Sequence, residues 1–197
     1  MTDNSCTNCD GLGYTTGRGK RWAVARECEC QSPCPRCKGE RRIITQDAEG
    51  RAWVAPCGCV GLQHRIRRYN EARLPAAYHN KLIEDFDPRR GTKLDQDRAK
   101  DALFGFLGFQ EKGAAGDTGI LLMGPPGVGK THLMCGIIRF LTLERGQECR
   151  YVDSFQLLEE LKATFDAGSG ASELMDKAAS VPFLALDELG KQRTSGW

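Results

Sequence analysis

The chain has 197 residues, 40% of them hydrophobic and 27% charged, with a formal net charge of +2 and ten cysteines. That balance excludes a disordered chain and allows a small module in front of an α/β core. No apolar run approaches the roughly 18 residues of a membrane span and no basic-then-apolar leader opens the chain, so a cytoplasmic protein is expected.

The first 75 residues are basic, with 13 Lys+Arg against 8 Asp+Glu, while the rest carry 15 against 18. A basic first part points toward nucleic acid. The cysteines weaken that reading, because eight thiolates on two Zn²⁺ would lower the local charge from +5 to about +1. Those cysteines form a duplicated framework. Cys6 and Cys9 are followed by Cys28 and Cys30, and the same CxxC-then-CxC order returns as Cys34, Cys37, Cys57 and Cys59. The flanks repeat as well, with Cys9-Asp10-Gly11 answered by Cys37-Lys38-Gly39.

Two structural Cys₄ zinc sites suit this spacing. A CxxC turn presents two thiolates to one metal, and a β-hairpin brings the CxC pair to the same place. Gly17 and Gly19 are expected to turn the first hairpin, and Asp47 to Gly50 the second. An iron–sulfur cluster would use the same four thiolates, disulfides would need an oxidising compartment, and a redox-active CxxC leaves the alternating order unexplained. Sequential pairing within each unit is the simpler arrangement, and crossed pairing between units satisfies the same counts. Trp22 and Trp53 can either stack on bases or cover a small core.

Residues 60–74 read as a helix with Leu62, Ile66 and Tyr69 on one face and His64, Arg65, Arg67, Arg68 and Arg73 around the rest, stopped by Pro75. The basic face suits either phosphate contact or a solvated linker. His64 and His79 are not expected to ligate metal, since each framework already holds four cysteines. Residues 80–91 read as an irregular entry to the next unit. A helix is expected over Asp95 to Gln110, with Ala99, Ala102, Leu103, Phe106 and Phe109 recurring at three and four, and a turn over Gly113 to Asp117.

The strongest motif is Gly124-Pro125-Pro126-Gly127-Val128-Gly129-Lys130-Thr131, which matches GxxxxGK[ST]. An apolar strand, Ile120 to Met123, is expected to lead in, and a helix with Leu133, Ile137, Ile138 and Leu141 to lead out. Backbone N–H groups of such a loop curl around the β-phosphate of a nucleotide such as ATP at a helix N-terminus. Lys130 is expected to reach the β- and γ-phosphates, and Thr131 to offer its hydroxyl to Mg²⁺. His132, the last residue of the expected nucleotide-binding segment, has a side chain expected to pack or to face solvent.

A second α/β unit follows, with a strand over Cys149 to Asp153 and a helix carrying Phe155, Leu158, Leu161 and Phe165, capped by Ser154. Cys135 and Cys149 read as buried thiols. Gly168 to Gly170 reads as a loop, and Glu173 to Ala178 as a short helix. The apolar strand Val181 to Leu186 ends in Asp187 and Glu188. Downstream of a phosphate loop this is the expected Walker B element, with Asp187 holding Mg²⁺ and Glu188 acting as general base toward water. That acid pair suits hydrolysis better than phosphoryl transfer to a small molecule.

These stretches, with Arg73-Leu-Pro-Ala-Ala-Tyr78, Phe86-Asp87, Gly190 and Lys191 to Trp197, resemble the helicase-loader ATPases of the DnaC/IstB type, a branch of the AAA+ superfamily. The resemblance implies a P-loop α/β core over residues 93–197, preceded by a zinc module over 1–60 and a basic helix and linker over 61–92. It implies that Gly127, Gly129, Lys130 and Thr131 bind ATP, that Asp187 coordinates Mg²⁺ and that Glu188 is the catalytic base. It also implies a replicative helicase and single-stranded DNA as partners, self-association, and a zinc region that contacts the helicase. A transposition helper binding target DNA, or a nucleotide-switched zinc adaptor, would carry the same motifs. Proteins of this kind continue past Walker B with a sensor strand and an arginine finger. The chain, ending ten residues after Asp187, is therefore expected to be part of a longer protein and not to turn over ATP alone.

Overall fold

The computed structural model describes residues 6–31, 33–46, 50–87, 93–111, 119–166 and 171–189. The N-terminal framework forms two antiparallel hairpins, β1 (Tyr14–Arg18) with β2 (Ala23–Glu27), and β3 (Arg42–Gln46) with β4 (Ala52–Pro56). Their registers correspond position for position. Tyr14 faces Glu27 and Thr16 faces Ala25 in the first, where Arg42 faces Pro56 and Ile44 faces Val54 in the second. The approaches match too, since Cys28 N–H donates to Gly13 O and Cys57 N–H to Arg41 O, both at 2.8 Å. Sequence duplication is thus a duplication of backbone.

Gly17 lies inside β1 opposite Val24, so it does not form the turn as expected. The reversal uses Gly19 to Trp22, closed by Gly19 N–H to Trp22 O at 3.0 Å. Of the second turn, residues 47–49 lie outside the described residues.

α1 (Gly58–Glu71) starts at once after Cys57 and ends earlier than the proline stop suggests. Leu62 and Tyr69 are buried and Ile66 packs beside them, as the periodicity requires. Of its arginines Arg67 is exposed, 3.9 Å from Glu71 one turn on, while the other two are engaged. Arg65 donates to Leu143 O at 2.8 Å and Arg68 pairs with Glu148, so both fasten the helix to the following unit. Asn70 clamps β2 by accepting from Ala25 N–H at 2.7 Å and donating to Ala25 O at 3.1 Å. The first hairpin is thereby built into the main core, where Tyr14, Ala23 and Ala25 join Leu62, Tyr69, Leu74 and Ile83. Among the described residues of the second hairpin only its own cysteines are buried, with Ile43 packed on them.

α2 (Lys93–Glu111) contributes Leu103 and Leu107 to the core. α3 (Lys130–Arg139) runs into a π-helical turn, Phe140–Glu144, where Thr142 bonds back to Ile138 O at 2.7 Å. β5 (Cys149–Asp153) then pairs in parallel with β6 (Phe183–Asp187), the crossover carrying α4 (Ser154–Asp166) and α5 (Ala171–Ala179). This is a βαβ unit of an α/β core. The expected turn at Gly113 to Asp117, the loop at Gly168 to Gly170 and the run Lys191 to Trp197 lie outside the described residues.

Two expectations about this half are corrected. Ile120 to Met123 forms no strand among the described residues, and Leu121 and Met123 are 72% and 81% exposed. An apolar run becomes a strand only when a neighbour completes its ladder. The cap of α4 is Asp153, not Ser154. Asp153 Oδ1 accepts from Phe155 N–H at 2.9 Å and Gln156 N–H at 3.2 Å, whereas Ser154 Oγ is buried with no hydrogen-bond partner among the described residues.

Candidate nucleotide site and metal centres

The loop from Gly124 to Gly129 leads into α3, whose N-cap is Gly129 at φ 94°. Glycine is required there twice over. A side chain would be strained at that φ, and a Cβ would lie 2.5 Å from the buried Phe86 ring. Gly124 and Gly127 also take positive φ, at 148° and 85°. Lys130 Nζ reaches back to Gly124 O at 2.8 Å and Pro125 O at 3.0 Å, which places its charge over the loop. The loop, residues 119–124 and the end of β6 line one cavity of about 1210 Å³, which also includes Tyr78, Phe86 and Glu188. A cavity of that size accommodates a nucleotide.

At its floor Thr131 Oγ1 donates to Asp187 Oδ2 at 2.7 Å, joining two residues 56 positions apart. Tyr151 Oη donates to the same oxygen at 2.9 Å, and Glu188 N–H donates to Oδ1 at 2.9 Å. The buried Asp187 carboxylate is therefore held at both oxygens. Tyr151 escapes a motif-based reading; the available signal was an aromatic hydroxyl within the short strand Cys149–Asp153, which needs a partner when buried. Burial, then the bond to Asp187, pushes the Tyr151 hydroxyl well above its ordinary range and keeps it a donor. Glu188 sits in the left-handed region at φ 60°, an uncommon conformation that turns the chain sharply after β6 beside the cavity. A hydroxyl and a carboxylate in contact form a hard oxygen donor set that suits Mg²⁺.

His132 lines the same cavity, but its ring is engaged elsewhere. Nε2 lies 2.7 Å from Leu82 O, and the ring packs edge-on to Phe86. Cys135 and Cys149 are buried thiols as expected, and burial pushes Cys149 up to about 12 and Cys135 further.

The eight framework cysteines gather into two groups, Cys6/Cys9/Cys28/Cys30 and Cys34/Cys37/Cys57/Cys59, each with all ligand atoms within 4.8 Å. Pairing is therefore sequential. Sγ–Sγ separations are 3.9 Å for Cys6–Cys28 and 3.6 Å for Cys9–Cys30, and the same values recur for Cys34–Cys57 and Cys37–Cys59. Zn–S bonds of about 2.3 Å in a tetrahedron set sulfurs about 3.8 Å apart, so both cages fit zinc. Backbone N–H groups help: Gly13 donates to Cys9 Sγ at 3.3 Å and Arg41 to Cys37 Sγ at 3.2 Å. Backbone hydrogen bonds also lower Cys6 and Cys34 to about 7, while desolvation raises Cys30 and Cys59 to about 12. Neither His64 nor His79 belongs to these groups.

A phosphate loop opening a helix, with its threonine bonded to the acid that ends a parallel strand, defines a P-loop NTPase. Residues 62–195 match the family of IstB-like ATP binding proteins, and the chain belongs to that family, in its DnaC/IstB-like branch. It is similar to the uncharacterized protein YqaM of Bacillus subtilis (strain 168), at 28% identity over 152 residues, covering 72% of this chain and 46% of that protein. It is 33% identical over 118 residues to the insertion sequence IS1162 putative ATP-binding protein of Pseudomonas fluorescens, covering 57% and 46%. The replicative helicase loader DnaC of Buchnera aphidicola subsp. Acyrthosiphon pisum is 30% identical over 105 residues, covering 52% and 42%. The chain thus spans less than half the length of these curated relatives. No solved structure matches it significantly. Among the described residues no helix is long and apolar enough to cross a membrane.

Proposed function

We propose that the protein is an ATP-hydrolysing helicase loader that acts with single-stranded DNA in replication. The observation that supports this most is the Thr131–Asp187 contact at the floor of the cavity, because it brings the phosphate loop to the acid pair. In this reading the backbone of Gly124 to Thr131 cradles the phosphates and Lys130 leaves Gly124 O and Pro125 O for the β- and γ-oxygens. Thr131 and Asp187 hold Mg²⁺, which offsets the charge between the phosphates. Glu188, aimed by its left-handed backbone, takes a proton from the attacking water. Cys6, Cys9, Cys28, Cys30, Cys34, Cys37, Cys57 and Cys59 hold two Zn²⁺. The similarity to a protein named as a replicative helicase loader supports the choice of substrate process, and the doubled zinc module leans the same way. Self-association and a cytoplasmic location belong to the same reading.

Similarity to an insertion-sequence ATP-binding protein favours a second reading, a transposition helper on duplex target DNA. Copurification of the whole protein with a hexameric helicase or with a transposase separates the two. Both fall if Mg–ATP binding is absent or survives Lys130→Ala undiminished.

A further inference from the structure

A second cavity, of about 400 Å³, opens where the turn of the first hairpin meets the βαβ unit, and it shares no lining residue with the nucleotide cavity. Three arginines from separate stretches of chain line it: Arg21 in the hairpin turn, Arg73 just past α1 and Arg150 in β5. Backbone bonds gather them. Ala23 N–H donates to Leu74 O at 2.8 Å, Ala76 N–H to Arg21 O at 3.2 Å, and Tyr151 N–H to Ala72 O at 2.8 Å. Residues 72–76 thus tie the hairpin turn to β5 and hold the three guanidinium groups around one space.

Each guanidinium is oriented, yet none forms an ion pair among the described residues. Arg21 lies over the Trp22 ring, 4.6 Å from its centroid, and donates to Gln156 Oε1 at 2.8 Å. Arg150 donates to Glu71 O across 3.3 Å. Arg73 reaches the cavity from a left-handed backbone, φ 57°, a conformation that favours glycine. With five N–H donors on each guanidinium, most are left to face the cavity. Burial, and then the Arg73 charge, push Arg150 below its ordinary range, while Glu160 works the other way. Two acids share the lining with the three arginines. Asp153 Oδ1 is engaged by the N–H groups that open α4, and Glu160 is exposed. The first thiolate cage is negative once metal-bound, but it lies at the opposite end of the hairpin. Strands of five residues put it about 17 Å away, beyond the screening length of about 10 Å at 0.1 M salt.

We propose that this cavity is a second phosphate-binding site, in which Arg21, Arg73 and Arg150 clamp one phosphate group beside the Trp22 ring. Guanidinium forks match phosphate oxygens in pairs, and an anion between Arg73 and Arg150 relieves their repulsion. A free phosphate-bearing molecule and the backbone of a single strand present the same group. The assignment rests on neither the loader reading nor the phosphate loop.

The test uses the zinc-loaded protein carrying Lys130→Ala, which weakens the phosphate loop so that titrated pyrophosphate reports the second cavity. Calorimetry should show pyrophosphate binding, and Arg73→Gly or Arg150→Gln added to this protein should each weaken it at least about tenfold. Glycine suits the left-handed backbone, so Arg73→Gly should hold or raise Tm while the anion is lost. With Lys130 restored, Mg–ATP binding should be unchanged by either substitution, which keeps a failure here distinct from a failure of the nucleotide site. Anisotropy of a labelled oligothymidylate identifies the source. If a strand is the occupant, Arg73→Gly weakens the oligonucleotide too and lowers the slope of log K against log salt by about 0.7. If a free anion is the occupant, oligonucleotide affinity stands while pyrophosphate binding falls. The proposal is overturned if neither probe binds, or if whichever binds is unaffected by both substitutions.

Discussion

Cys9→Ser and Cys37→Ser remove the same ligand from two equivalent cages, and their effects on stability should differ several-fold. Cys9 anchors the hairpin whose Tyr14, Ala23 and Ala25 sit in the main core. Freeing it exposes one tyrosine, worth about 2 kcal/mol, and two alanine methyls at about 0.8 kcal/mol each. It also releases the Tyr14–Glu144 bond and the two Asn70–Ala25 bonds, each contributing about 1 kcal/mol. Allowing for non-additivity, the loss is about 5 kcal/mol, a large share of the stability of any domain. At about 2–4 °C per kcal/mol this lowers Tm by roughly 10–20 °C. Cys37→Ser releases a hairpin that, among its described residues, buries only its own cysteines, and its further effect is loss of the Cys57 N–H to Arg41 O bond at the start of α1, worth about 1 kcal/mol. Its shift should be about 2–4 °C. Scanning calorimetry in zinc-containing buffer reads both, and zinc analysis should show one metal lost in each. Equal shifts, or the larger one for Cys37→Ser, would refute the idea that the first hairpin is core and the second an appendage.

Tyr151→Phe keeps the ring but removes a donor from buried Asp187, and a bond to a charged group contributes about 1.5–3 kcal/mol. Mg²⁺-dependent ATP affinity should fall at least about tenfold while nucleotide binding in EDTA stays unchanged; an unchanged Mg²⁺ titration would remove Tyr151 from the site. In the native zinc-loaded protein at pH 8, Cys135 and Cys149 should resist Ellman's reagent, because burial holds both thiols protonated far above that pH. Their reaction without unfolding, read by peptide mapping, would contradict the packing. Metal binding displaces thiol protons, and backbone hydrogen bonds lower one ligand of each cage, Cys6 or Cys34, to about 7. Zinc retention should therefore weaken as pH falls below neutral and strengthen above it, with both cages releasing metal over one range. A chelator-dye titration that finds two well-separated release steps would contradict their equivalence.

Local patterns were legible and long-range ones were not. The phosphate loop and the cysteine cages are written in contiguous spacing, and each folds where its residues indicate. Strand Ile120 to Met123 was misjudged because pairing depends on a neighbour that no local window contains. Ser154 and Asp153 are both good cap residues, and composition alone cannot say which carboxyl or hydroxyl meets the free N–H groups of α4. Burial of one hairpin and exposure of its twin was invisible as well. Both sequences alternate similarly, and the difference arises from Asn70, Leu62 and Glu144, far away along the chain. Asp187 was read from its place after an apolar strand, but its clamp by Tyr151 needed the parallel register that sets Tyr151 beside Ala185.

α1 is rooted at one end in a thiolate cage, since Cys59 is its second residue. Just past its other end, Ala72 O accepts from Tyr151 N–H at 2.8 Å. Fourteen residues at about 1.5 Å each make a rod of about 21 Å. Its length is a fixed ruler between a metal knot and the strand whose tyrosine steadies Asp187. Inserting or deleting a residue in that rod would rotate one end by about 100° against the other, so the spacing tolerates substitution but not a change of length.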